Sequence, residues 1–499
     1  MLYQLSYAPR LRHRHAANSH SEDRSRDLSP VSTGLWNETS TIEEFVKETI
    51  APGFAGQNAG PGCRTAIVGG GMLGMTLALR LAQRGHRVTL FEAAPDFGGL
   101  ASAWTVGDVV WDRHYHVTLY SDRTLRALLT ELGLESDLRW TAVGTGFYSG
   151  GRFHPMNGAL DFLRFPPLGL IDKLRLGLTI LYASRIGNPL PLEDVTVERW
   201  LSKYSGRKTF ERIWRPLLRA KLGERYKEAS AAFIWAIIVR LYAARRAGLG
   251  AERFGYLPGG YARTLARLEA KLRDLGVDLR PATRALTVTA SAAGPVVALE
   301  GGQTERFDRA AITLAAPLAA RLIPGLNADE RRRLQSKLYG GIVCASLVLD
   351  EPLGPYYVTN LTDEWVPFSA VIDMSNVVDR SEWNGKALVY LPKYVKPDDP
   401  LFAASDAEIE NSFLGALERM YPTFSRANVR AFRISRVREV FAIATLGYSR
   451  ELPPIQTSVP GVFLLNSAHI VNATLNVNDT LGLVERNLAT IAGSEALVR

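Results

Sequence analysis

Two histidines lie on either side of a tyrosine in the segment Trp111–His116, WDRHYH, and an imidazole ring there could hydrogen-bond a reacting group and tune its chemistry. If the segment is a strand, His114 and His116 share one face and Tyr115 lies on the other. The sequence has no CxxC, HExxH or EF-hand pattern, so we predict no metal site. Two interpretations stay open: a catalytic pair, or two structural histidines.

A glycine-rich segment has the spacing of a phosphate-binding turn. Gly69–Gly74, GGGMLG, fits the pattern GxGxxG and follows a short apolar strand, Thr65–Val68. Met72–Arg84 then carries leucines at helical spacing, and Arg87–Phe91 is typical of a second strand, which ends at Glu92. A strand, turn, helix and second strand within about 30 residues is the context in which this pattern holds the pyrophosphate of a dinucleotide.

Each glycine of the turn has a physical role in this interpretation. Gly69 permits the tight turn, Gly71 lets the backbone approach the phosphates, and Gly74 lets the helix pack closely on the strand. The free backbone N–H groups at the start of the helix, which include those of Met72 and Leu73, would face the phosphates at the positive end of the helix dipole.

The residues after the second strand favour FAD over NAD. Glu92 is placed to accept hydrogen bonds from a ribose diol, and a second glycine turn follows it, formed by Gly98, Gly99, Leu100 and Ala101. This order of motifs resembles the flavoprotein superfamily of amine oxidases, protoporphyrinogen oxidase, phytoene desaturase and UDP-galactopyranose mutase, although Ala103 stands where that family has Ser or Thr. The resemblance implies an α/β fold with a discontinuous, Rossmann-like FAD-binding domain of the GR2 type and an α+β substrate domain.

The resemblance also implies that the chain returns to the FAD-binding domain twice. In the middle return, 276–317, Ala285 falls where the family holds the adenine. The last return has a buried strand, 461–466, but ends at Asn466, where the family usually has an aspartate that binds the ribityl chain. An amide can still hydrogen-bond a hydroxyl group. Asp479 lies near the start of the last predicted helix, whose N-terminus would point at the flavin C2 carbonyl.

Further side chains are implicated in catalysis and substrate binding by the same resemblance. His114 or His116 would face the isoalloxazine ring, and Tyr448 would place an aromatic ring near it; core packing is the alternative for Tyr448. Three basic residues lie beside apolar side chains in the sequence: Arg215, Arg219 and Lys221. They would suit a phosphate or carboxylate on an apolar tail; the alternative is that they only form a solvated helix face.

The positive charge of the chain is concentrated in one segment. The 499 residues include 59 Lys and Arg and 50 Asp and Glu, a net charge of +9, while residues 151–260 alone hold 19 basic and nine acidic residues. Because this segment also has helical apolar runs, we predict a helical cap that can touch an anionic bilayer. No nucleic-acid-binding motif accompanies the charge, so nucleic acid is not an expected partner.

Two cysteines, Cys63 and Cys344, form no CxxC pair, and no stretch reaches the roughly 20 apolar residues of a transmembrane helix. We therefore expect a cytoplasmic protein, attached at most to a membrane surface. The sequence predicts three parts. Residues 1–61 form an N-terminal extension without fixed structure. The FAD-binding domain consists of residues 62–105, 256–317 and 461–499, and the substrate domain consists of residues 106–255 and 318–460.

By analogy with that superfamily, the predicted function is an FAD-dependent oxidoreductase that takes a hydride from a C–C or C–N bond of a hydrophobic or anionic small molecule onto flavin N5. The main alternative is a redox-neutral sugar isomerase similar to UDP-galactopyranose mutase, which the His-Tyr-His segment favours. A non-catalytic binding protein that kept the fold is the third hypothesis. The sequence does not specify the oligomeric state.

Overall fold

The computed structural model describes residues 62–247, 253–471 and 473–493, so the predicted N-terminal extension lies outside the described residues. The helices are α1 Met72–Ala82, α2 Arg123–Glu131, α3 Ala159–Arg164, α4 Leu170–Ala183, α5 Val197–Ser205, α6 Arg207–Thr209, α7 Arg215–Leu222, α8 Ala231–Ala247, α9 Gly260–Asp274, α10 Ala316–Leu322, α11 Ala328–Gln335, α12 Asp406–Met420 and α13 Val477–Ala492.

The strands begin with those near the predicted FAD-binding motifs and continue into the substrate half. They are β1 Arg64–Val68, β2 Arg87–Phe91, β3 Ala103–Val106, β4 Val109–Asp112, β5 Arg139–Ala142, β6 Thr145–Ser149, β7 Arg152–Pro155, β8 Arg253–Tyr256, β9 Asp278–Arg280, β10 Ala285–Ser291, β11 Gly294–Leu299, β12 Thr304–Arg306, β13 Arg309–Ile312, β14 Tyr339–Leu349, β15 Val358–Leu361, β16 Ala370–Asp373, β17 Ala387–Val395, β18 Val429–Ala442 and β19 Val462–Leu464.

A parallel sheet with the order β19-β13-β1-β2-β9 forms the first half of the molecule. Its five strands come from all three segments predicted to build the FAD-binding domain. Because the strands are parallel, the residues that follow β1, β13 and β19 meet at the same edge of the sheet. The topology therefore brings the first glycine turn and the residues around Asn466 together, although almost 400 residues separate them in the chain.

Helix α1 packs against this sheet and follows the apolar pattern of the sequence. Leu73, Leu77 and Leu81 are buried in the core, and α13 and α9 cover the helix. The helix ends three residues before Gly85, which adopts a positive φ of 81° and donates to the carbonyl of Ala82. This is the stop that a glycine at that place predicts.

The second half contains a seven-stranded sheet with the order β18-β14-β17-β16-β15-β6-β7. It is antiparallel except for the pair β15 and β6. All of its strands come from the two segments predicted to form the substrate domain, while the hairpin β3–β4 straddles the predicted boundary at residue 105. Helices α3 to α8 form an apolar cluster of their own beside this sheet. Within the described residues, no helix is long and apolar enough to cross a membrane.

Candidate functional site

The two glycine turns lie directly against each other at the edge of the parallel sheet. The N–H of Gly98 donates to the carbonyl of Gly70 at 2.8 Å, and Gly71 and Gly98 form a short parallel bridge. A Cβ atom added to Gly74 would lie 1.9 Å from the carbonyl oxygen of Gly69. A Cβ on Gly99 would lie 3.1 Å from the Cα of Gly71. The absence of side chains therefore permits both the close helix packing and the contact between the turns.

Glu92 lies beside the first turn, where the sequence places the adenosine ribose. Its Oε2 accepts a hydrogen bond from the N–H of Gly70 at 2.7 Å, and Oε1 accepts one from Ala94 at 2.8 Å. Each carboxylate oxygen can accept more than one hydrogen bond, so a ribose diol can still bind here. The ribose contact itself stays a prediction.

Thr313, at the end of β13, is a residue of this edge that the sequence analysis missed. Its hydroxyl lies 3.0 Å from the carbonyl oxygens of both Val68 and Gly69. A Cβ on Gly69, where φ is 114°, would lie only 2.5 Å from the same hydroxyl. The Thr313 hydroxyl thus holds the first glycine turn in place. The sequence signal that could have identified Thr313 is a polar residue directly after an apolar strand.

The predicted adenine contact, Ala285, opens strand β10 and is half-buried opposite Leu299. The preceding residues approach the end of β2, since Thr283 donates its N–H to the carbonyl of Glu92 at 2.7 Å. The middle return therefore reaches the expected side of the sheet. The role of Ala285 toward adenine stays a prediction.

Asn466 is completely buried just beyond β19, at the edge shared with the glycine turns. Its Oδ1 accepts a hydrogen bond from Ala468 at 3.1 Å, whereas its Nδ2 has no hydrogen-bond partner in the described part of the chain. A buried donor without a partner costs about 1–3 kcal/mol. A ribityl hydroxyl would satisfy that donor, so the residues present fit the cofactor that the motifs imply.

Asp479 belongs to the N-terminal cap of α13. Asn476 accepts a hydrogen bond from the N–H of Asp479 at 2.9 Å, and its own Nδ2 donates to the Asp479 carboxylate. The neighbouring Asn478 caps a different helix, because its Oδ1 accepts from Thr124 and Leu125 at the start of α2. The carboxylate of Asp479 therefore supports the helix end, and its contact with the cofactor stays a prediction.

Arg240 of α8 connects the cluster of helices α3 to α8 to the N-terminal end of α13. This residue was not identified from the sequence. It lies 2.9 Å from the carboxylate of Asp122, beside α2, and 3.7 Å from that of Asp479. Burial raises the pKa of Asp122, although the charge of Arg240 opposes the shift. A single guanidinium thus bridges the two halves of the molecule.

The expectation that His114 and His116 share one strand face is wrong, because β4 ends at Asp112 and the following residues leave the ladder. His114 is buried, with Nδ1 3.3 Å from the carbonyl oxygen of Leu100 in the second glycine turn. Burial, assisted by the nearby His116, lowers the pKa of His114 to about 3. Its Nε2 has no hydrogen-bond partner among the residues described.

His116 has different surroundings. Its Nδ1 lies 3.7 Å from a carboxylate oxygen of Asp112, and its ring centre lies 4.9 Å from that of Tyr261. These three residues line one small pocket. His114 contacts the second predicted FAD-binding turn through the carbonyl of Leu100, whereas His116 faces Asp112 and Tyr261.

The hydroxyl group of Tyr448 is hydrogen-bonded to the backbone. It is buried and donates to the carbonyl of Ala468 at 2.8 Å, two residues after Asn466. Burial raises its pKa well above the ordinary value, and the ammonium group of Lys337 lies 4.6 Å from the ring centre. The ring lies near the predicted ribityl site and its hydroxyl is already engaged with the backbone, so its place near the isoalloxazine ring stays a prediction.

The three predicted substrate-binding cations are separated. Arg219 pairs with the carboxylates of Glu224 and Glu364 at 2.7 and 2.9 Å on the surface, and Arg215 is half-buried at the start of α7. Lys221 instead points at two aromatic rings. All three roles stay predictions, and Lys221 is the residue best placed for one.

The ammonium group of Lys221 lies 3.5 Å from the ring centre of Tyr394 and 4.8 Å from that of Phe441. No carboxylate of the described residues forms an ion pair with it, and burial lowers its pKa to about 7. The Tyr394 hydroxyl forms a 2.6 Å hydrogen bond with that of Tyr115, the residue next to His114. We call Tyr115, Lys221, Tyr394 and Phe441 the aromatic wall.

The aromatic wall also approaches the Asn466 side of the site. Phe441 lies opposite Gly340 in the β14–β18 ladder. The neighbouring residue, Tyr339, places its hydroxyl 3.5 Å from that of Ser467. The wall is therefore connected to the second glycine turn through His114 and to Asn466 through Tyr339.

A family model described as flavin containing amine oxidoreductase matches residues 73–474, which is most of the chain. The chain belongs to this family. It is therefore a flavin-dependent oxidoreductase, and its cofactor is FAD, as the glycine turns predict. The unpartnered Nδ2 of Asn466 and the side-chain-free turns are consistent with that cofactor.

Sequence relatives of this flavoprotein include carotenoid enzymes. A probable zeta-carotene desaturase of Synechococcus elongatus is 25% identical over 452 residues, which cover 81% of this chain and 93% of the relative. A carotenoid phi-ring synthase of Streptomyces griseus is 39% identical over 84 residues, which cover 16% of each chain.

Solved structures show that the fold is shared more widely. A putative protoporphyrinogen oxidase from Exiguobacterium sp. 255-15 superposes with a TM-score of 0.70 at 18% identity and covers 87% of this chain and 99% of its own. Reduced UDP-galactopyranose mutase superposes with a TM-score of 0.64 at 13% identity, covering 86% and 98%. At these identities the structures support the fold alone.

Proposed function

We propose that this flavoprotein takes a hydride from a C–C bond of an apolar, lipid-like substrate that carries an anionic group, and so forms a double bond. The observation that carries the proposal is the aromatic wall: three aromatic rings with one cation that no carboxylate of the described residues neutralises. Such a surface suits an apolar molecule with a carboxylate or phosphate group. The probable zeta-carotene desaturase that matches 81% of the chain supports an apolar substrate.

The aromatic wall also favours a C–C bond over the C–N bond of an amine. Burial lowers the pKa of Lys221 to about 7, and the side chain is positively charged when it is protonated. That charge repels a protonated amine, whereas it attracts an anion. Removal of a hydride from one carbon leaves a cation, and loss of a proton from the neighbouring carbon to solvent completes the double bond.

The residues of the first half would hold the cofactor in place. The N–H groups of both glycine turns would hold the pyrophosphate, Glu92 would accept from the adenosine ribose, and the Nδ2 of Asn466 would donate to a ribityl hydroxyl. The bound cofactor would supply the hydride acceptor, with O₂ or a quinone as the final electron acceptor. His114 stays neutral because of its low pKa, so we assign it a positioning role: its Nε2, which has no partner among the described residues, would hydrogen-bond the cofactor.

Anaerobic reduction tests the proposal. The FAD-loaded protein is mixed without oxygen with a fatty-acid or isoprenoid-phosphate probe, with the corresponding uncharged hydrocarbon, and with an alkyl amine. We expect the visible absorbance of the oxidised flavin to bleach with the anionic probes and a new double bond to appear by mass spectrometry. Bleaching by the amine alone would overturn the proposal.

A mutase-like isomerase is the competing function. The His-Tyr-His segment supported it, but the segment is not a strand and the structural likeness to UDP-galactopyranose mutase reaches only 13% identity. Turnover of a nucleotide sugar only after reduction with dithionite, without consumption of an electron acceptor, would favour the mutase. The cytoplasmic location remains a separate prediction.

A further inference from the structure

Exposed apolar side chains are concentrated in one part of the surface. The described residues include twelve large hydrophobic side chains that are exposed, and eight of these lie between residues 160 and 190. Leu170 and Ile171 are the most exposed, at 74% and 76%. The eight are Leu160, Leu163, Leu170, Ile171, Leu174, Leu178, Tyr182 and Leu190. Contiguous apolar surface of this kind on a folded protein marks an interaction site.

Helix α4 is apolar on two opposite faces. Leu176, Ile180 and Ala183 are buried in the helical cluster, while the residues at positions 170, 171, 174, 178 and 182 share the outer face. With 3.6 residues per turn, these outer positions fall within one-third of the helix circumference. We call the outer side chains of α3 and α4 the leucine face.

Basic side chains border the leucine face. Arg164, Arg175 and Arg185 are exposed, and no carboxylate of the described residues lies within ion-pair distance of any of them. The acids of the segment are engaged elsewhere: Asp172 lies 3.4 Å from the Lys208 ammonium group, and Asp161 accepts a hydrogen bond from the backbone of Asn157. An apolar stripe bordered by unneutralised arginines matches the surface of an anionic bilayer.

Aromatic residues at one end of α4 fit the same surface. Tyr182 is 45% exposed, and its ring is stacked on that of Tyr204 with the centres 4.9 Å apart. Tyrosine is enriched at the membrane interface, where its ring lies at the level of the headgroups. The apolar cluster behind the leucine face extends inward to Tyr394 of the aromatic wall and to Leu475, beside Asn476.

We propose that the leucine face lies on an anionic lipid bilayer, with its apolar side chains at the boundary between headgroups and acyl chains and its arginines on the lipid phosphates. The proposal stands on the surface alone and does not depend on the substrate proposed above. A second copy of the chain fits less well, because a two-fold contact would bring the arginines of this face against their own copies. Residues 1–61 hold six basic and seven acidic residues, so they offer little charge complementarity.

Vesicle sedimentation of the full-length, FAD-loaded protein tests this assignment. We expect binding to vesicles of equal parts phosphatidylglycerol and phosphatidylcholine, and much weaker binding to phosphatidylcholine alone. The double variant Ile171→Glu/Leu174→Glu should bind the anionic vesicles at least about tenfold more weakly, because it places two like charges in the apolar contact. Leu286→Glu, at an exposed leucine of β10 far along the chain, is the matched control and should bind like the unmodified protein.

The arginines are tested separately from the leucines. Arg164→Ser/Arg185→Ser should reduce binding to the anionic vesicles by about fivefold for each residue, and leave the weak binding to phosphatidylcholine unchanged. Visible absorbance of bound flavin confirms that each variant is folded.

Four results would overturn the assignment. One is the absence of binding to either vesicle at low salt; another is equal binding by the Ile171→Glu/Leu174→Glu variant and the unmodified protein. The third is a dimer in light scattering that the same double variant converts to a monomer, since it would identify a second copy as the occupant. Cross-linking of a Leu174→Cys variant to residues 1–61 would likewise exclude the bilayer in favour of the chain itself.

Discussion

The predicted FAD side of the site, formed by the two glycine turns, and the proposed substrate side, formed by the aromatic wall, are constructed in different ways. On the FAD side, backbone groups of Gly69–Gly74 and Gly98–Ala101 meet because neither turn carries side chains at the contact. On the substrate side, the aromatic wall consists of side chains from four separate chain segments, held by ring contacts and one hydrogen bond. The contact between the two turns depends on the lack of side chains there, whereas the aromatic wall depends on where its side chains lie. Substitutions should therefore affect the two sides differently.

The largest effect is expected where a side chain enters the backbone contact. Gly74→Ala would place a Cβ 1.9 Å from the Gly69 carbonyl oxygen, and we expect it to destabilise the fold by about 3 kcal/mol or more and to abolish FAD retention. Thermal unfolding and flavin content measure this. Gly415→Ala is the control, since that helical glycine has its nearest neighbour 3.6 Å away. A Gly74→Ala protein with normal stability and flavin content would refute the close-packing argument.

The second prediction concerns His114, which lies where the two sides meet. The unfolded chain binds a proton at this histidine near pH 6.5, whereas the folded protein does so only near pH 3. Stability is therefore fully present above pH 6.5 and falls by about 1.4 kcal/mol per pH unit as the pH decreases toward 3.

Denaturant unfolding at several pH values, compared between the unmodified protein and His114→Gln, isolates this contribution. The variant should lose stability more slowly between pH 6.5 and pH 5. Identical slopes would mean that His114 is solvated and titrates normally in the folded protein.

A smaller effect is expected at Asn466. Asn466→Leu removes the donor predicted to bind the ribityl chain, so FAD affinity should fall by about 1 kcal/mol, roughly fivefold, in an equilibrium titration. Asn466→Asp restores the carboxylate usual in the family and should bind FAD as well as the unmodified protein. If Asn466→Leu binds FAD with unchanged affinity, the Nδ2 group does not contact the cofactor.

The smallest and most specific effect is expected at Lys221. Lys221→Met keeps an apolar chain of similar length against Tyr394 and Phe441 but removes the charge. We expect KM for an anionic substrate to increase about fivefold, by the loss of one charged contact, while KM for an uncharged analogue stays constant. Arg219→Met, at a surface ion pair, is the control and should change neither. Equal effects on both substrates would assign Lys221 to packing.

The two sides also differ in how far the sequence predicts them. The spacing of the sequence predicts the glycine turns and Glu92, because a turn between a strand and a helix is governed by nearby residues, whereas the departure at Asn466 followed from the family resemblance. Thr313 and Arg240 were missed because each acts on a segment more than 100 residues away. His114 and His116 were assigned to one strand face because alternation assumes a ladder that in fact ends at Asp112.

The sequence by itself predicted the glycine-rich motif and the three segments that supply the strands of the parallel sheet, and it determined the concentration of charge in residues 151–260. These features depend on local backbone geometry and composition, which a linear pattern records. Only the tertiary structure separated Arg219, which pairs with carboxylates, from Lys221, which lies over aromatic rings, and distinguished the inner from the outer apolar face of α4. Burial, pairing and ring contact depend on neighbours brought together by folding, and no spacing along the chain specifies them.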